Sequence, residues 1–156
     1  MLLPLLSAAQ GVFSPQQWGA KGDGKNDDTR AIQQCLDACA NSGGGTVLFA
    51  EGKTYMSGPL PLRGNINYKF EKASRLLADP RESVYNLSAF GDNRGEGMLW
   101  LWANGEDNIT FSGEGAIDGN GVAFMGKELE DIYALKPLQD SKFDPRPHLL
   151  TLFGCR

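Results

Sequence analysis

The hydrophobic pattern of the chain changes its period once, and this change limits the folds open to it. In residues 28–42 apolar side chains recur at i, i+3, i+4 and i+7, which predicts one amphipathic helix. The residues of this stripe are Ile32, Cys35, Leu36 and Cys39. After the helix the period falls to two, in short runs separated by glycine, asparagine or proline, which predicts strands at 46–50, 66–70, 98–103, 108–112 and 148–153. No second amphipathic helix recurs between them, which argues against a doubly wound α/β fold.

Both ends of the predicted helix carry suitable residues. Asp27, Asp28 and Thr29 are N-cap candidates, and the two aspartates place negative charge at the positive end of the helix dipole. Three glycines, 43–45, follow the last turn and can supply a left-handed C-terminal residue. We therefore interpret Asp27 and Asp28 as helix-capping residues and not as a catalytic pair.

Composition excludes several classes of protein. Glycine accounts for 20 of the 156 residues, nearly twice the usual ~7%, so many tight turns are expected. No apolar run approaches the ~20 residues of a membrane span, and the net charge of −4 disfavours a nucleic-acid partner. The three cysteines match no zinc-ligand spacing, so we predict no metal and no cofactor. Cys35 and Cys39, on one helix face, are predicted to be buried and reduced.

Two of the predicted strands resemble each other. The run beginning at Asn65 (NINY) matches the run beginning at Asn108 (NITF), and Glu71 with Glu114 and Ala73 with Ala116 follow at the same offset. This suggests a stack of repeated coils, each buried by its neighbours. The two asparagines either stack in an amide ladder or are merely turn residues.

Two stretches interrupt the repeat, at 79–97 and 126–147. The first is predicted to be a surface loop, and the second to hold a helical turn around Leu129, Ile132 and Tyr133. Residues 1–10 are interpreted as a possible truncated signal segment, which favours a secreted or periplasmic protein. Asn86 and Asn108 match the glycosylation pattern.

The opening of the chain resembles a known superfamily. Residues 18–29 (WGAKGDGKNDDT), 31–33 (AIQ) and 43–47 (GGGTV) are similar to the start of the pectate-lyase-like right-handed parallel β-helices. The resemblance implies an all-β fold, a right-handed parallel β-helix whose N-terminal end is covered by a capping α-helix. Residues 11–156 would then be the N-terminal portion of a single β-helix domain, incomplete at its C-terminus.

Later segments narrow the resemblance. Residues 52–60 (GKTYMSGPL), 108–121 (NITFSGEGAIDGNG), 146–150 (RPHLL) and 153–155 (FGC) together resemble glycoside hydrolase family 28, the polygalacturonases, most closely the exo-acting bacterial and plant types. Val122, Ala123 and Phe124 stand where that family often has tryptophan. The resemblance implies hydrolysis of α-1,4-galacturonosyl linkages in pectin with inversion, by a protein that is monomeric when complete.

The catalytic motifs of that family are missing from this chain. Asn-Thr-Asp, a catalytic Asp-Asp pair, Gly-His-Gly and Arg-Ile-Lys do not occur in their family context. We therefore predict no catalytic residue among the 156, an inactive chain, and motifs beyond residue 156. An open last coil also predicts that the isolated chain is poorly stable or aggregation-prone.

Some side chains have both a structural and a sugar-binding interpretation, with the structural one favoured. They are Asp118, Arg146, His148, Trp100 and Trp102. Asp118 fits a turn, Arg146 and His148 fit the start of a strand, and the tryptophans fit burial on one face of a strand. Two other classes of protein stay open, a non-catalytic β-helix that binds carbohydrate or forms a tail spike, and a polysaccharide lyase.

Overall fold

The computed structural model describes residues 11–90, 97–125 and 145–156. Within these ranges there is one α-helix, α1 (Thr29–Asn41), and there are three short 3₁₀ helices, Pro15–Trp18, Glu82–Val84 and Gly121–Phe124. The strands are β1 (Gly11–Phe13), β2 (Asp23–Asp27), β3 (Gly45–Phe49), β4 (Thr54–Ser57), β5 (Leu60–Pro61), β6 (Ile66–Phe70), β7 (Arg75–Ala78), β8 (Leu99–Asn104), β9 (Ile109–Gly113), β10 (Ala116–Asp118) and β11 (His148–Phe153).

The strands form three parallel sheets. Sheet A has the order β1-β3-β6-β9, sheet B the order β2-β4-β7-β10 and sheet C the order β5-β8-β11. From β3 onwards the chain visits A, B and C in turn and then returns to A, so three strands make one coil; in the first coil α1 follows β2 in place of a sheet C strand. Every ladder between the named strands is parallel. The predicted parallel β-helix is therefore confirmed.

Side chains that point inward stack in columns along the coils. In sheet A, Val47 is in register with Tyr68, and Tyr68 with Phe111. Val47 and Tyr68 are almost completely buried, whereas Phe111, in the last described coil, is half-buried. The rings of Tyr68 and Phe111 lie 5.2 Å apart. Each coil thus depends on the next one for burial of its apolar face.

Helix α1 covers the first complete coil. Its apolar stripe, which includes Ile32, Leu36 and both helical cysteines, has no exposed surface. Cys35 and Cys39 are free thiols, and burial raises the pKa of Cys35 to about 12. These observations confirm the capping helix and the buried cysteines, and they give Cys35 no thiolate character near neutral pH.

The two aspartates at the start of α1 make hydrogen bonds that differ from the predicted N-cap bonds. Asp28 occupies the N-cap position, but its carboxylate accepts hydrogen bonds from the backbone N–H groups of Lys21 and Gly22, at 2.7 and 3.0 Å. Asp27 accepts from the N–H of Thr29 at 2.9 Å. Asp28 therefore fixes the glycine-rich turn before the helix, and Asp27 holds the first helical residue.

The two matching asparagines form a ladder. The Asn108 amide nitrogen donates to the Asn65 amide oxygen at 2.9 Å, and both residues have left-handed φ angles, 57° and 56°. The ladder interpretation is thus confirmed, and the two asparagines, although they occupy turns, are not merely turn residues. In the preceding coil Gly44 (φ 101°) precedes the strand instead, where a side chain would collide with the Asn65 carbonyl. The Asn108 nitrogen that would carry a glycan is therefore engaged in the ladder.

The repeat is not uniform along the coil. Ile66 pairs with Ile109, which agrees with the predicted offset, but Ala116 pairs with Arg75 and not with Ala73. The predicted match of Ala73 with Ala116 is therefore wrong, because the turn after β9 is shorter than the turn after β6.

The prediction of a surface loop at the first interruption of the repeat is wrong at its first residue. The stretch at 79–97 begins with Asp79, which is fully buried and so is not part of a surface loop. The helical turn predicted around 129–133, like the signal segment at 1–10, lies outside the described residues. None of the helices in the described ranges has the length and hydropathy that a membrane crossing requires.

We expect the 156-residue chain to self-associate through its fourth coil. Leu150 and Leu152 are 41% and 48% exposed, although their partners in register, Leu101 and Ala103, are buried. Leu150→Lys or Leu152→Lys places a charge on this apolar surface and should shift the sedimentation profile towards monomer. Leu87→Lys, at a position 45% exposed in a loop, is the matched control and should leave the sedimentation profile unchanged. A wild-type chain that is monomeric at all concentrations would contradict this expectation.

The Asp23 carboxylate should stabilise the fold at pH values at which it is ionised. Its pKa is lowered to about 2 because the backbone N–H groups of Asn26 and Lys25 and the Asn26 side chain donate to its carboxylate. A carboxyl with a lowered pKa contributes stability above its unfolded value, and this is lost as the pH falls. Asp23→Asn should lower the melting temperature near neutral pH, and the deficit should shrink between about pH 4 and pH 2. Thermal melts across this range measure it.

Asp107→Asn is the control for that series. The Asp107 side chain is exposed and accepts no hydrogen bond within the described residues. This substitution should leave the melting temperature unchanged at every pH. A deficit of Asp23→Asn that stays constant down to pH 2 would show that the hydrogen-bonded carboxylate does not stabilise the turn.

Candidate functional site

Both long excursions of the chain leave the coil at the same place. The first insertion, residues 79–98, connects β7 to β8, and the second insertion, residues 119–147, connects β10 to β11. Each therefore runs from sheet B to sheet C in consecutive coils. Each insertion thus ends at the start of a sheet C strand, and long excursions from a rigid stack commonly carry binding function. We call the outer surface of β5, β8 and β11 the sheet C face.

Two tryptophans of β8 belong to this region. Trp100 has no exposed surface, and its indole N–H donates to the Ser57 hydroxyl at 3.1 Å. Trp102 is half-buried and pairs in register with Thr151 of β11. The predicted burial holds for Trp100, which is thereby unavailable for stacking on a sugar, while Trp102 retains a partly exposed ring.

The entrance to β11 brings three further side chains near the face. His148 is exposed and lies edge-on to Phe90 of the first insertion, with ring centroids 5.8 Å apart and an interplanar angle of 87°. Phe90 is 51% exposed. Arg146 precedes the strand and is also exposed. An aromatic ring and an imidazole thus meet at the start of β11, and the Arg146 side chain lies beside Gly121 of the second insertion.

A charged clamp anchors the first insertion. The Arg81 Nε donates to both carboxylate oxygens of Asp79, at 2.9 and 3.0 Å, and its Nη2 donates to Asp79 and, at 2.9 Å, to Asp27. Asp79 is fully buried. The hydrogen bonds that Arg81 donates to both carboxylates raise its pKa. Arg81 therefore ties the insertion to the segment that precedes α1.

The acid of this clamp that faces solvent is held ionised. Burial alone would raise the pKa of Asp27, but hydrogen bonds from Thr29 and Arg81 outweigh it, and the pKa is lowered. The clamp continues through Tyr85, whose hydroxyl donates to the Asp79 carbonyl oxygen at 2.7 Å and whose ring packs on Phe124, 5.9 Å away. Phe124 belongs to the second insertion, so the clamp connects the bases of both.

The carboxylates singled out by sequence are engaged in structural hydrogen bonds and lie outside the strands of sheet C. Asp27 and Asp28 serve the helix and the clamp, and Asp118 accepts the N–H of Asn120 at 2.8 Å and lies 3.5 Å from Arg75. This places Asp118 in the predicted turn. The three strands of sheet C contain no aspartate or glutamate. No cluster of three or more potential metal ligands occurs in the described parts of the chain.

Sequence reasoning missed part of this site. Phe90 gave no signal, because a single aromatic in a glycine-rich loop has no period. Asp79 and Arg81 were visible only as a turn around Pro80, since their partner Asp27 lies far along the chain. Thr151 lies in a predicted strand. The residue opposite it, Trp102, could not be predicted because the sequence does not show how the strands pair.

The sequence of the chain matches a known protein family. A family described as rhamnogalacturonase A/epimerase, pectate lyase-like, matches residues 13–120. The chain belongs to this family. The resemblance drawn from the sequence motifs is therefore confirmed.

Two relatives of the chain are named as polygalacturonases. An exopolygalacturonase of Zea mays is 31% identical over 126 residues, which are 78% of this chain and 28% of the relative. Polygalacturonase ADPG1 of Arabidopsis thaliana is 33% identical over 150 residues, 93% of this chain and 31% of the relative. The chain thus spans about a third of the length of these relatives.

A solved structure matches the fold. The family 28 exopolygalacturonase of Yersinia enterocolitica superposes with a TM-score of 0.70 at 23% identity, over 96% of this chain and 33% of that one. This likeness confirms the predicted right-handed parallel β-helix.

Loss of the clamp should loosen the first insertion. Arg81→Met leaves the buried Asp79 carboxylate without its ionic partner, and an unpaired buried charge is strongly destabilising. We expect limited proteolysis within the first insertion to become several-fold faster and the melting temperature to fall. Arg81→Lys keeps the charge but loses the two-pronged geometry, and should give a smaller effect. Equal proteolysis rates in wild type and Arg81→Met would show that the insertion is held by other contacts.

Proposed function

We propose that this chain supplies the N-terminal coils of a pectin-degrading glycoside hydrolase of family 28. The whole protein would hydrolyse α-1,4-galacturonosyl linkages with inversion. The observation that carries the proposal is family membership, supported by the contact of Phe90 with His148 and by the exposed Arg146 just before β11. The polygalacturonase names of the relatives support the substrate class.

Within that protein the chain would bind the polymer and would not cleave it. Inversion needs two carboxyl functions about 6.5–9.5 Å apart on opposite sides of the sugar. Sheet C has no carboxylate in its three strands, and none of the four family motifs occurs in its family context within the 156 residues. We therefore assign catalysis to coils beyond residue 156, in keeping with the greater length of the relatives.

The exposed groups at the edge of sheet C suit an acidic sugar. A guanidinium matches a carboxylate with two parallel hydrogen bonds, which assigns Arg146 to a galacturonate carboxylate. Aromatic rings present apolar faces to the apolar face of a pyranose, which assigns Phe90 and His148 to stacking. Because the chain as a whole has a net charge of −4, such a local cation is needed to bind a polyanion.

The remaining features of the proposal follow from the substrate. Pectin is an extracellular polymer, so we propose that the whole protein is secreted or periplasmic, with residues 1–10 belonging to its targeting segment. We further propose that it is a monomer when its coils are complete, that residues 11–156 form part of one β-helix domain, and that it uses no cofactor.

Binding and cleavage should separate in this chain. We expect the wild-type chain to bind oligogalacturonate in a calorimetric titration and to release no reducing ends from polygalacturonate. Arg146→Gln should weaken binding of oligogalacturonate several-fold and change binding of its methyl ester little, because the ester has no carboxylate to pair. Arg30→Gln, at an exposed position on α1, is the control. Release of reducing ends by the wild-type chain would show that the assignment of catalysis is wrong.

Product analysis of the longer protein distinguishes the other classes. A hydrolase leaves saturated ends and inverts the anomeric centre, whereas a lyase leaves an unsaturated end. A protein that binds oligogalacturonate but cleaves none when its later coils are present would be a binding module.

A further inference from the structure

Within the described residues, the sheet C face contains two buried polar atoms that have no hydrogen-bond partner. They are the indole nitrogen of Trp102 and the hydroxyl oxygen of Thr151. Leaving a buried donor or acceptor unpaired costs about 1–3 kcal/mol, so such atoms are rare in native proteins. The other tryptophan of the same strand is paired, because Trp100 donates its indole N–H to Ser57 at 3.1 Å.

The two unpaired groups are neighbours across the sheet. Trp102 and Thr151 are partners in the parallel ladder between β8 and β11, so their side chains leave the same face about 4.8 Å apart. The residue in register on the other side of Trp102 is Pro61, which has no polar side chain to offer. A ligand on this face would therefore contact side chains from two adjacent coils.

We propose that Trp102 and Thr151 form a subsite that binds one pyranose hydroxyl of the polymer, an inference that rests on the proposed function. An indole N–H only donates, and a threonine hydroxyl both donates and accepts. A sugar hydroxyl fits both, since its oxygen accepts from Trp102 while its hydrogen is donated to Thr151. Both residues are half-buried, so part of each side chain faces solvent. Because the two polar atoms are themselves buried, the proposal requires the Trp102 ring to turn when the sugar binds.

A carboxylate fits this pair less well. Burying an ionised carboxylate is favourable only when it is paired with a cation or with several donors. Trp102 and Thr151 supply two neutral donors, and strands β8 and β11 contain no lysine or arginine. The subsite thus recognises a part of the sugar that is common to galacturonate and its methyl ester, in contrast to the role proposed for Arg146.

The test uses near-isosteric variants of the 156-residue chain. Trp102→Phe removes the N–H and keeps a ring, and Thr151→Val removes the hydroxyl and keeps the shape. Calorimetric titration with oligogalacturonate and with its methyl ester should show each variant weakened about threefold to tenfold for both probes, the loss of one neutral hydrogen bond. Melting temperature should stay equal or rise, because each variant deletes an unpaired buried polar atom.

Matched controls remove the same groups elsewhere. Trp18→Phe deletes an indole N–H in the 3₁₀ helix before β2, and Thr110→Val deletes a hydroxyl on sheet A of the fourth coil. Neither should change affinity. If all four variants bind as wild type does while Trp102→Phe and Thr151→Val gain stability, the two atoms are only a structural cost and the subsite is wrong.

Further outcomes separate this inference from the proposed function. Weakening of the acid probe alone would overturn the hydroxyl assignment. Wild-type binding of the methyl ester without the acid, with both variants weakened, would support the subsite and contradict an acidic substrate. A wild-type chain that binds neither probe would overturn the proposed function and the subsite with it.

Discussion

The structure depends on one constraint, that no coil can bury its own apolar side chains. Val47, Tyr68 and Phe111 show the consequence, because the first two are buried by neighbours on both sides and the third, with one neighbour, is half-buried. Helix α1 solves the same problem at the other end, where its apolar stripe replaces a coil. Stability in such a stack is a sum of contacts between neighbours. The rigid stack leaves its outer faces free to carry loops and polar side chains.

Those outer faces differ because the insertions occur at one corner only. Turns from sheet A to sheet B stay short, and a glycine or asparagine in left-handed conformation precedes each sheet A strand from β3 onwards. Chain length is added between sheets B and C in two consecutive coils. The Arg81 clamp fixes the base of the first insertion to the segment before α1, so the end cap and the edge of the site are mechanically linked. The insertion held by this linkage carries Phe90, which contacts His148 of β11.

Charge and polarity divide the proposed site into two kinds of contact. Arg146 at the edge supplies the positive charge that a polyanion requires, in a chain whose net charge is −4. Trp102 and Thr151, further along the same strands, supply neutral hydrogen-bonding groups. Neither kind of contact breaks a glycosidic bond, since that needs paired carboxyl groups. Binding and chemistry are thus assigned to different coils of one continuous face.

The sequence by itself determined the capping helix, five of the strands and the family, because these depend on local periodicity, on turn residues and on motifs. It left the asparagine ladder as one of two alternatives. It did not reveal β1, β2, β4, β5, β7 or β10, which are two to five residues long and pair with strands of neighbouring coils. Only the tertiary structure decided that Arg81 reaches Asp27, that Phe90 meets His148 and that Trp102 faces Thr151. The physical reason is that register between coils depends on the lengths of the intervening insertions, which no local pattern encodes.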